Sequence, residues 1–578
     1  MLLSILSAVV VVLGLTAWVG VRALLARGEL EAAIPLAMTM QNQVVSGDGA
    51  SAKLTGDKLG IRASSAASLT SDPIWRAFEA LPALGPNLAV VRELAAVVHG
   101  LAEDAVVPLA EVAIAITVDD FRPVDGKIDL HPLIKAQPSI ADATAAILAA
   151  QSRVEAIDTA GTLGEVEDAA GQLQSAVDEA ATAITAVDRA VRIVPAMLGA
   201  SSPRNYLLLV QNPAELRASG GIVGAVALIH TESGAIQLSQ QTSGASFMRH
   251  DKPVLELPTE TRGLYGDITG QFMLNVGLTP HFPLSAQLAQ EMWRLKYGVQ
   301  PDGVLSIDPV ALSYVLSATG PITLPTGDVL NSDNAVRLLL TDVYERYEAP
   351  EDQDAFFAAA AAAVFSAVAS GDVDPVALIE ALGKAGSERR VLVWSAAEAD
   401  QSALADTTLA GDLPVSSQDA QRFGLFLNDA TGAKMDTYLD VNTRIGQAVC
   451  RKDQRPNYSV EVTLTNTAPA DSESTLPRYV TGGGVFGVTP GNIKTIVSVY
   501  GTPDVENQGV SKDGVEVPHH PGTDDGYQVS ALSVELAPGQ TTVLRYDWLG
   551  GEAIKNRIEL HMTPVIHRNE TQKLEITC

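Results

Sequence analysis

With 578 residues and 47% hydrophobic side chains, the chain is long enough to form about three or four domains, each with its own core. Its 39 basic and 68 acidic residues leave a formal net charge of −29, which excludes nucleic acid as a partner, because phosphate recognition needs a basic patch. Any phosphate-bearing ligand must be held locally. The common catalytic signatures are missing as well: there is no G-x-S-x-G, H-E-x-x-H, Walker loop or C-x-x-C, and the nine histidines show no metal-ligand spacing.

The first element, MLLSILSAVVVVLGLTAWVGV from Met1 to Val21, carries no charge and ends against Arg22 and Arg27. As a helix it is about 30 Å long, enough to cross a hydrocarbon core. Residues 1–26 therefore read as a retained transmembrane anchor. A cleaved signal peptide is the competing reading, although its apolar region is usually shorter and ends at a small-residue cleavage site. The flanking arginines pull towards the cytoplasm. Long domains, however, translocate largely regardless of nearby charge, and the only two cysteines look like a structural pair. The expectation is a single-pass protein of the cell membrane with the bulk of the chain extracytoplasmic.

Residues 27–200 read as a helical bundle or stalk. Val166, Ala170, Leu173, Val177, Ala180, Ile184, Val187, Val191 and Val194 alternate at spacings of four and three, as in a coiled-coil seam. Ile140, Ala143, Ile147, Ala150, Val154 and Ile157 repeat the pattern, so the two segments form an expected antiparallel hairpin. Thr162 is the candidate N-cap of the second. Leu88, Val91, Leu94, Val98, Leu101 and Ala105 form an earlier stripe, and the plain meaning of all three is core packing.

Residues 201–433 read as an α/β domain. RNYLLLVQN is a strand, AELRASGG a glycine-ended loop, IVGAVALIH a second strand, and TESG a turn into AIQLSQQ. DGVLSID and RRVLVWS are further strands. Asp308, Pro309 and Gly320 mark the cap, first turn and end of a helix, Asn331 or Ser332 caps another, and Asp354 to Ser370 is a buried Ala-rich helix. Residues 434–578 read as an immunoglobulin-type β-sandwich, from alternating runs such as Tyr458 to Thr465, Ile493 to Tyr500 and Thr541 to Trp548. The Gly482, Gly484, Gly487 pattern matches G-x-G-x-x-G only formally. No helix follows it, so it reads as a turn. A Cys450–Cys578 bridge would close a loop of over a hundred residues, worth up to about 4–5 kcal/mol in the chain-entropy model.

The densest polar stretch, NYLLLVQNPAELRASGGIVG, places Asn212, Glu215 and Arg217 ahead of Gly220 and Gly221. Such a segment can set a guanidinium and free N–H groups around an anion. Alternatively, Glu215 and Arg217 satisfy each other and the glycines make the turn.

RNYLLLVQNPAELRASGGIVG, PDGVLSIDPVALSYVLSATGPI and NDATGAKMDTYLD, preceded by PIWRAFEALPALGPNLAVVREL, resemble an actinobacterial, membrane-anchored family known as domain of unknown function 4012. The resemblance covers nearly the whole chain and implies an envelope protein without an activity. A more distant likeness is to the LytR-CpsA-Psr phosphotransferases, which move glycopolymers from polyprenyl-pyrophosphate carriers to the cell wall. It rests on the order NYLLLVQN, DGVLSIDPVALSYVLSATGPITL and VYERYEAPEDQDAF. That likeness implies a LytR-CpsA-Psr-like α/β domain in which Arg217 and Arg346, with Arg249 as a third, hold pyrophosphate. Glu215 would be base or metal ligand, and Mg²⁺ would offset leaving-group charge. The chain departs from it where that family carries two metal-binding aspartates: here stand Gln211 or Asn212, then Ser219 or Gly220. Asp267, Asp302, Asp352 and Asp354 fit loops and caps better than ligand sets.

Two functions follow. The first is an envelope protein that binds or organises wall glycopolymer or partner proteins and needs no cofactor; Asn212, Gly220, Gly221 and Arg249 are its ligand-binding candidates. The second is a transferase acting on a polyprenyl-linked precursor through Glu215, Arg217 and Arg346.

Overall fold

The computed structural model describes residues 2–45, 48–82, 84–116, 122–124, 126–417, 420–551, 557–567 and 570–578. The chain divides into two compact units: Met1–Arg122 with Ile128–Ala200, and Pro123–Lys127 with Ser201–Cys578.

The first unit is helical: α1 (Leu2–Val45), α2 (Gly49–Thr70), α3 (Pro73–Phe78), α4 (Gly85–Leu101), α5 (Val107–Ala115), α6 (His131–Glu155) and α7 (Gly164–Met197). In α1, Val19, Ala26, Ala33 and Met40 are buried at intervals of seven, and α2 answers with Ala52, Leu59, Ala63 and Ala66. Arg22 donates to the Leu69 carbonyl at 3.1 Å and lies 3.5 Å from Asp72, with its guanidinium 5.0 Å from the Trp18 ring. Arg27 pairs with Glu31 at 2.7 Å. The helix that carries the expected anchor is thus continuous from Leu2, while the side chains of residues 1–10 and 12 lie outside those described.

α6 and α7 pack together through Ile140, Ala143, Ile147, Ala150 and Val154 against Val177, Ala181, Ile184 and Val191. The α7 seam differs from the expected one. Val187 is exposed, and the buried set runs Val177, Ala181, Ile184, Asp188, Val191, Pro195. That spacing averages about 3.6, the period of a straight helix, whereas the expected 3.5 repeat requires supercoiling. Asp188 can sit in this seam because Arg192, one turn on, pairs with it. Thr162 does not cap α7, because its hydroxyl donates to the Thr159 carbonyl in the preceding turn, and the first residues of α7 have no side-chain cap.

The second unit begins with a mixed sheet of β1 (Arg204–Arg217), β2 (Gly220–Glu232), β3 (Ala235–Ser243), β4 (Gly303–Ile307) and, after a small β5 (Ile322–Thr323) and β6 (Val329–Leu330) ribbon, β7 (Val391–Ser395). Its order is β3-β2-β1-β4-β7, with β1 and β4 parallel and the other pairs antiparallel. The helix Pro309–Thr319 starts at Asp308, whose carboxylate accepts the Ala311 N–H at 2.7 Å, and ends at Gly320. Among the described residues, the helix Pro350–Ala369 is long and apolar enough to cross a membrane by length and composition. Phe356, Ala360 and Val364 pack one face of it into the core of this unit, and the rest is exposed or half-buried, so it is not the buried helix expected.

Two more sheets follow. One has the order β14-β15-β11-β8-β17 and the other β13-β12-β16-β10-β9-β18. Their strands are β8 (Ala420–Asp429), β9 (Leu439–Ala448), β10 (Asn457–Asn466), β11 (Ile493–Gly501), β12 (Val505–Lys512), β13 (Val515–Glu516), β14 (His520–Asp524), β15 (Tyr527–Leu536), β16 (Thr541–Gly550), β17 (Arg557–Met562) and β18 (Gln572–Lys573). Pairing is antiparallel except β17 with β8 and β18 with β9. Phe423, Leu425 and Val497 of one sheet meet Val460, Leu544 and Trp548 of the other in a single core, which also takes in Leu216, Leu316 and Tyr344 from the mixed-sheet part. β8 lies ahead of residue 434, where the alternating pattern was expected to start. It is buried at almost every position, so a period of two is hard to see in it. The protein is therefore multidomain in make-up, with helices N-terminally, a mixed sheet and two largely antiparallel sheets.

Candidate functional site

The site grows from an irregularity in the β1–β2 hairpin. Partners step from Asn212↔Ile222 to Leu216↔Gly221, so Pro213, Ala214 and Glu215 bulge out of a ribbon that otherwise continues to Arg217. AELR is thus strand and bulge rather than loop. Asn212 sets the bend: its side-chain carbonyl accepts the Ala214 N–H at 2.9 Å and its amide donates to the Tyr344 hydroxyl. The glycines close the ribbon. Gly220 has φ +142°, and a Cβ there would lie 1.9 Å from Gln211 Oε1, while one on Gly221 would lie 2.4 Å from the Asn212 backbone.

The bulge is held by the segment NDATGAKMD at the end of β8. The Leu216 N–H donates to Asp436 Oδ2 at 2.7 Å and the Ala218 N–H to Asn428 Oδ1 at 3.0 Å. Lys434 donates to Glu215 at 2.9 Å, with side chains only 8% and 15% exposed. Lys434 also lies 5.4 Å and 5.6 Å from the rings of Tyr344 and Tyr479. Arg217 is buried; it donates to the Leu216 carbonyl at 2.9 Å and to Asn275 Oδ1 at 3.4 Å, and its Nε has no partner among the described residues. Asp429 accepts the N–H groups of Thr431 and Gly432, each at 2.8 Å.

Burial decides the electrostatics. It pushes the Glu215 carboxyl up, but Lys434 and then Arg217 outweigh it and leave the pKa below the ordinary value. It pulls the Lys434 ammonium down, and Glu215 with the two tyrosines more than restores it. Asp436 goes the other way. Burial first, and then the nearby Asp429, lift its carboxyl well above the usual range, and the Leu216 N–H only partly opposes them. Its Oδ1 is buried without a partner among the described residues, which suits an uncharged acid better than a carboxylate.

Of the residues expected from sequence, Asn212, Glu215, Arg217, Gly220 and Gly221 meet in this cluster. Glu215 does not pair directly with Arg217; its partner is Lys434. Arg346 turns to Asp328 at 2.6 Å, and Arg249 donates to Gln271 at 3.2 Å. Asp267 pairs with Arg262, and Asp302 accepts the Asn205 N–H. Tyr344, Asn428, Asp429, Lys434 and Asp436 had no expected role. For all but Tyr344 the signal was present in NDATGAKMD, which is as dense in polar residues as the β1 stretch, but Lys434 pairs with a residue 219 positions away and leaves no local trace.

The donor set does not fit Mg²⁺. Glu215 is engaged by Lys434 and Asp429 by backbone N–H groups, and among the described residues no three His, Cys, Asp or Glu side chains converge as a metal site. The cysteines form a Cys450–Cys578 disulfide, with Cα atoms 5.2 Å apart, tying the β9–β10 loop to the last residue.

No curated protein matches the chain. Residues 201–344, which carry the β1–β2 bulge and Tyr344, match the family model described as Protein of unknown function (DUF4012). The chain is similar to that family through this segment.

Proposed function

We propose that this is a single-pass, membrane-anchored protein of the cell envelope, with its bulk extracytoplasmic, that binds or organises wall glycopolymer or envelope partners. The observation that carries the choice of binding over transfer is the internal use of the expected catalytic groups. Glu215 is paired with Lys434, and the buried Arg217 donates to the Leu216 carbonyl and Asn275 with the charges of Glu215 and Asp429 already beside it, so both groups are used inside the protein. In this reading the mixed sheet is a LytR-CpsA-Psr-like frame kept without that chemistry, and the two later sheets are an immunoglobulin-type sandwich.

The location is supported by the disulfide, since such bonds persist in oxidising compartments. It is supported also by the unbroken helix from Leu2 to Val45, with Trp18 and Arg22 stacked where the apolar run ends. Both flanking arginines are paired with acids, which weakens their pull towards the cytoplasm.

Mass spectrometry of the detergent-extracted full chain tests the function. The expected result is protein without polyprenyl phosphate, and the same for Arg217→Ala. A polyprenyl-phosphate species that copurifies with wild type and is lost in the variant would overturn the binding role in favour of transfer. Protease digestion tests the location separately. The sandwich should be cleaved in cells stripped of wall but with intact membranes, and protection until lysis would refute the extracytoplasmic assignment.

A further inference from the structure

A cavity of about 160 Å³, lined by none of the Glu215, Arg217, Lys434 or Asp436 side chains, lies where the helix Pro375–Ser387 ends beside β17; Arg389, Arg390, Thr408, His561 and Glu570 are among its lining residues. The two successive arginines differ in what surrounds them. Arg390 is fully engaged, donating to Asp308 at 2.7 Å, to Glu388 at 2.7 Å and to the Val565 carbonyl at 2.6 Å. Arg389 has one partner, the Asp412 carbonyl at 3.0 Å, and pairs with no carboxylate among the described residues. Burial lowers its pKa and only the Asp412 charge opposes this, so a guanidinium that stays charged at any physiological pH is left short of counter-charge.

The backbone adds an independent sign. Arg389 and Arg390 close the helix with N–H bonds to the carbonyls of Gly386 and Ala385, both at 2.9 Å, which puts Arg389 at the left-handed position with φ +59°. Glycine is the usual residue there. An arginine that holds a conformation unfavourable for L-residues beside a cavity fits the pattern of strain kept at binding sites.

β17 supplies the facing group. Leu560 and Met562 pack into the core, so His561 lies on the opposite face of the strand. Its Nδ1 is buried without a partner among the described residues, and burial followed by Arg389 and Arg422 pulls its pKa down to about 4. The neutral ring keeps its hydrogen on Nε2, because an orphaned N–H is the costlier arrangement. Thr408 contributes an exposed hydroxyl. Of the acids nearby, Glu388 is engaged by Arg390 and Tyr314, Glu559 by Arg422, and Glu570 is exposed at the rim.

We propose that this cavity binds a small oxyanion, a carboxylate or phosphate group, clamped by the Arg389 fork with His561 and Thr408 donating to the same group. The volume admits a phosphate-sized anion with water around it. Nothing in this assignment depends on the envelope role.

Calorimetric titration of the detergent-solubilised full chain with inorganic phosphate, and separately with acetate, tests it. Saturable binding of phosphate alone assigns a phosphate ligand, of acetate alone a carboxylate, and of both an oxyanion of either source. Arg389→Gly should weaken binding tenfold or more with the melting temperature unchanged or higher, since glycine is at ease at +59°. Thr408→Val, at an exposed position, should weaken it several-fold. Absence of binding of both probes at millimolar concentration overturns the proposal, as does wild-type affinity in both variants.

Discussion

Lys434 and Glu215 are the pair on which the bulge depends. Removing either ionised partner would leave the other charge buried and uncompensated, which typically costs about 3–5 kcal/mol, whereas replacing both with apolar groups is often close to neutral. Lys434→Ala should therefore destabilise by that order in chemical denaturation, and the double variant Glu215→Leu, Lys434→Met should recover most of the loss. Losses that simply add would show that the two do not act as a pair. Asp436 carries the opposite sign. Its folded pKa lies above the unfolded value, so its contribution is full below about pH 4 and declines as pH rises towards the raised value. Asp436→Asn should remove that decline and be at least as stable as wild type at pH 8, with the difference narrowing towards pH 4. A variant that melts lower at pH 8 with an unchanged slope would contradict the protonated acid. His561 is lowered, so its contribution is present above about pH 6.5 and fades as pH falls towards 4. His561→Gln should flatten that acid limb by as much as about 1.4 kcal/mol per pH unit, and an unaltered limb would mean the ring is not held neutral.

The elements show what was legible in the sequence. Asp308, Pro309 and Gly320 announce their helix because cap, first turn and stop act within one turn of chain. The α6–α7 hairpin was legible for the same reason, but three positions of the α7 stripe, Ala180, Val187 and Val194, lie one residue short of the buried Ala181, Asp188 and Pro195, since a heptad template cannot distinguish 3.5 from 3.6 over so few turns. AELR resembled a loop because its bulge is fixed by Asn428, Lys434 and Asp436, far along the chain. β8 was hidden by its burial on both faces. β18 is too short to signal itself: two residues pair with Arg444 and Ile445 of β9, and the Leu574 N–H adds a bond to the Ile445 carbonyl at 2.8 Å. The disulfide must therefore do much of the work of keeping that end in register. Cys450→Ser with Cys578→Ser should cost up to about 4–5 kcal/mol on the chain-entropy model for so long a loop. Amide exchange at Leu574 should accelerate before any residue of β10 does. Unchanged protection at Leu574 would assign the docking to the strand pairing instead.

At the scale of the molecule, the proposed anchor and the part of α1 with buried described side chains occupy different stretches of one helix. Among the described side chains of α1, the buried ones are Val19, Ala26, Ala33 and Met40, so on the proposed anchoring role removing residues 2–18 should leave the helical unit folded while abolishing membrane attachment. Full-length protein should co-float with phospholipid vesicles and the truncated chain should not, both having the same melting temperature. Salt then distinguishes insertion from adsorption. With a formal net charge of −29 the chain is repelled by anionic lipid, and electrostatic adsorption would be screened within about 8–10 Å at ordinary ionic strength. Flotation held by an apolar helix must persist at high salt and on anionic as well as neutral vesicles. If the truncated chain floats as well as the full one, or if salt releases the full chain, the N-terminal helix is not the anchor and the membrane-anchored reading fails, with only the disulfide left to support an oxidising compartment.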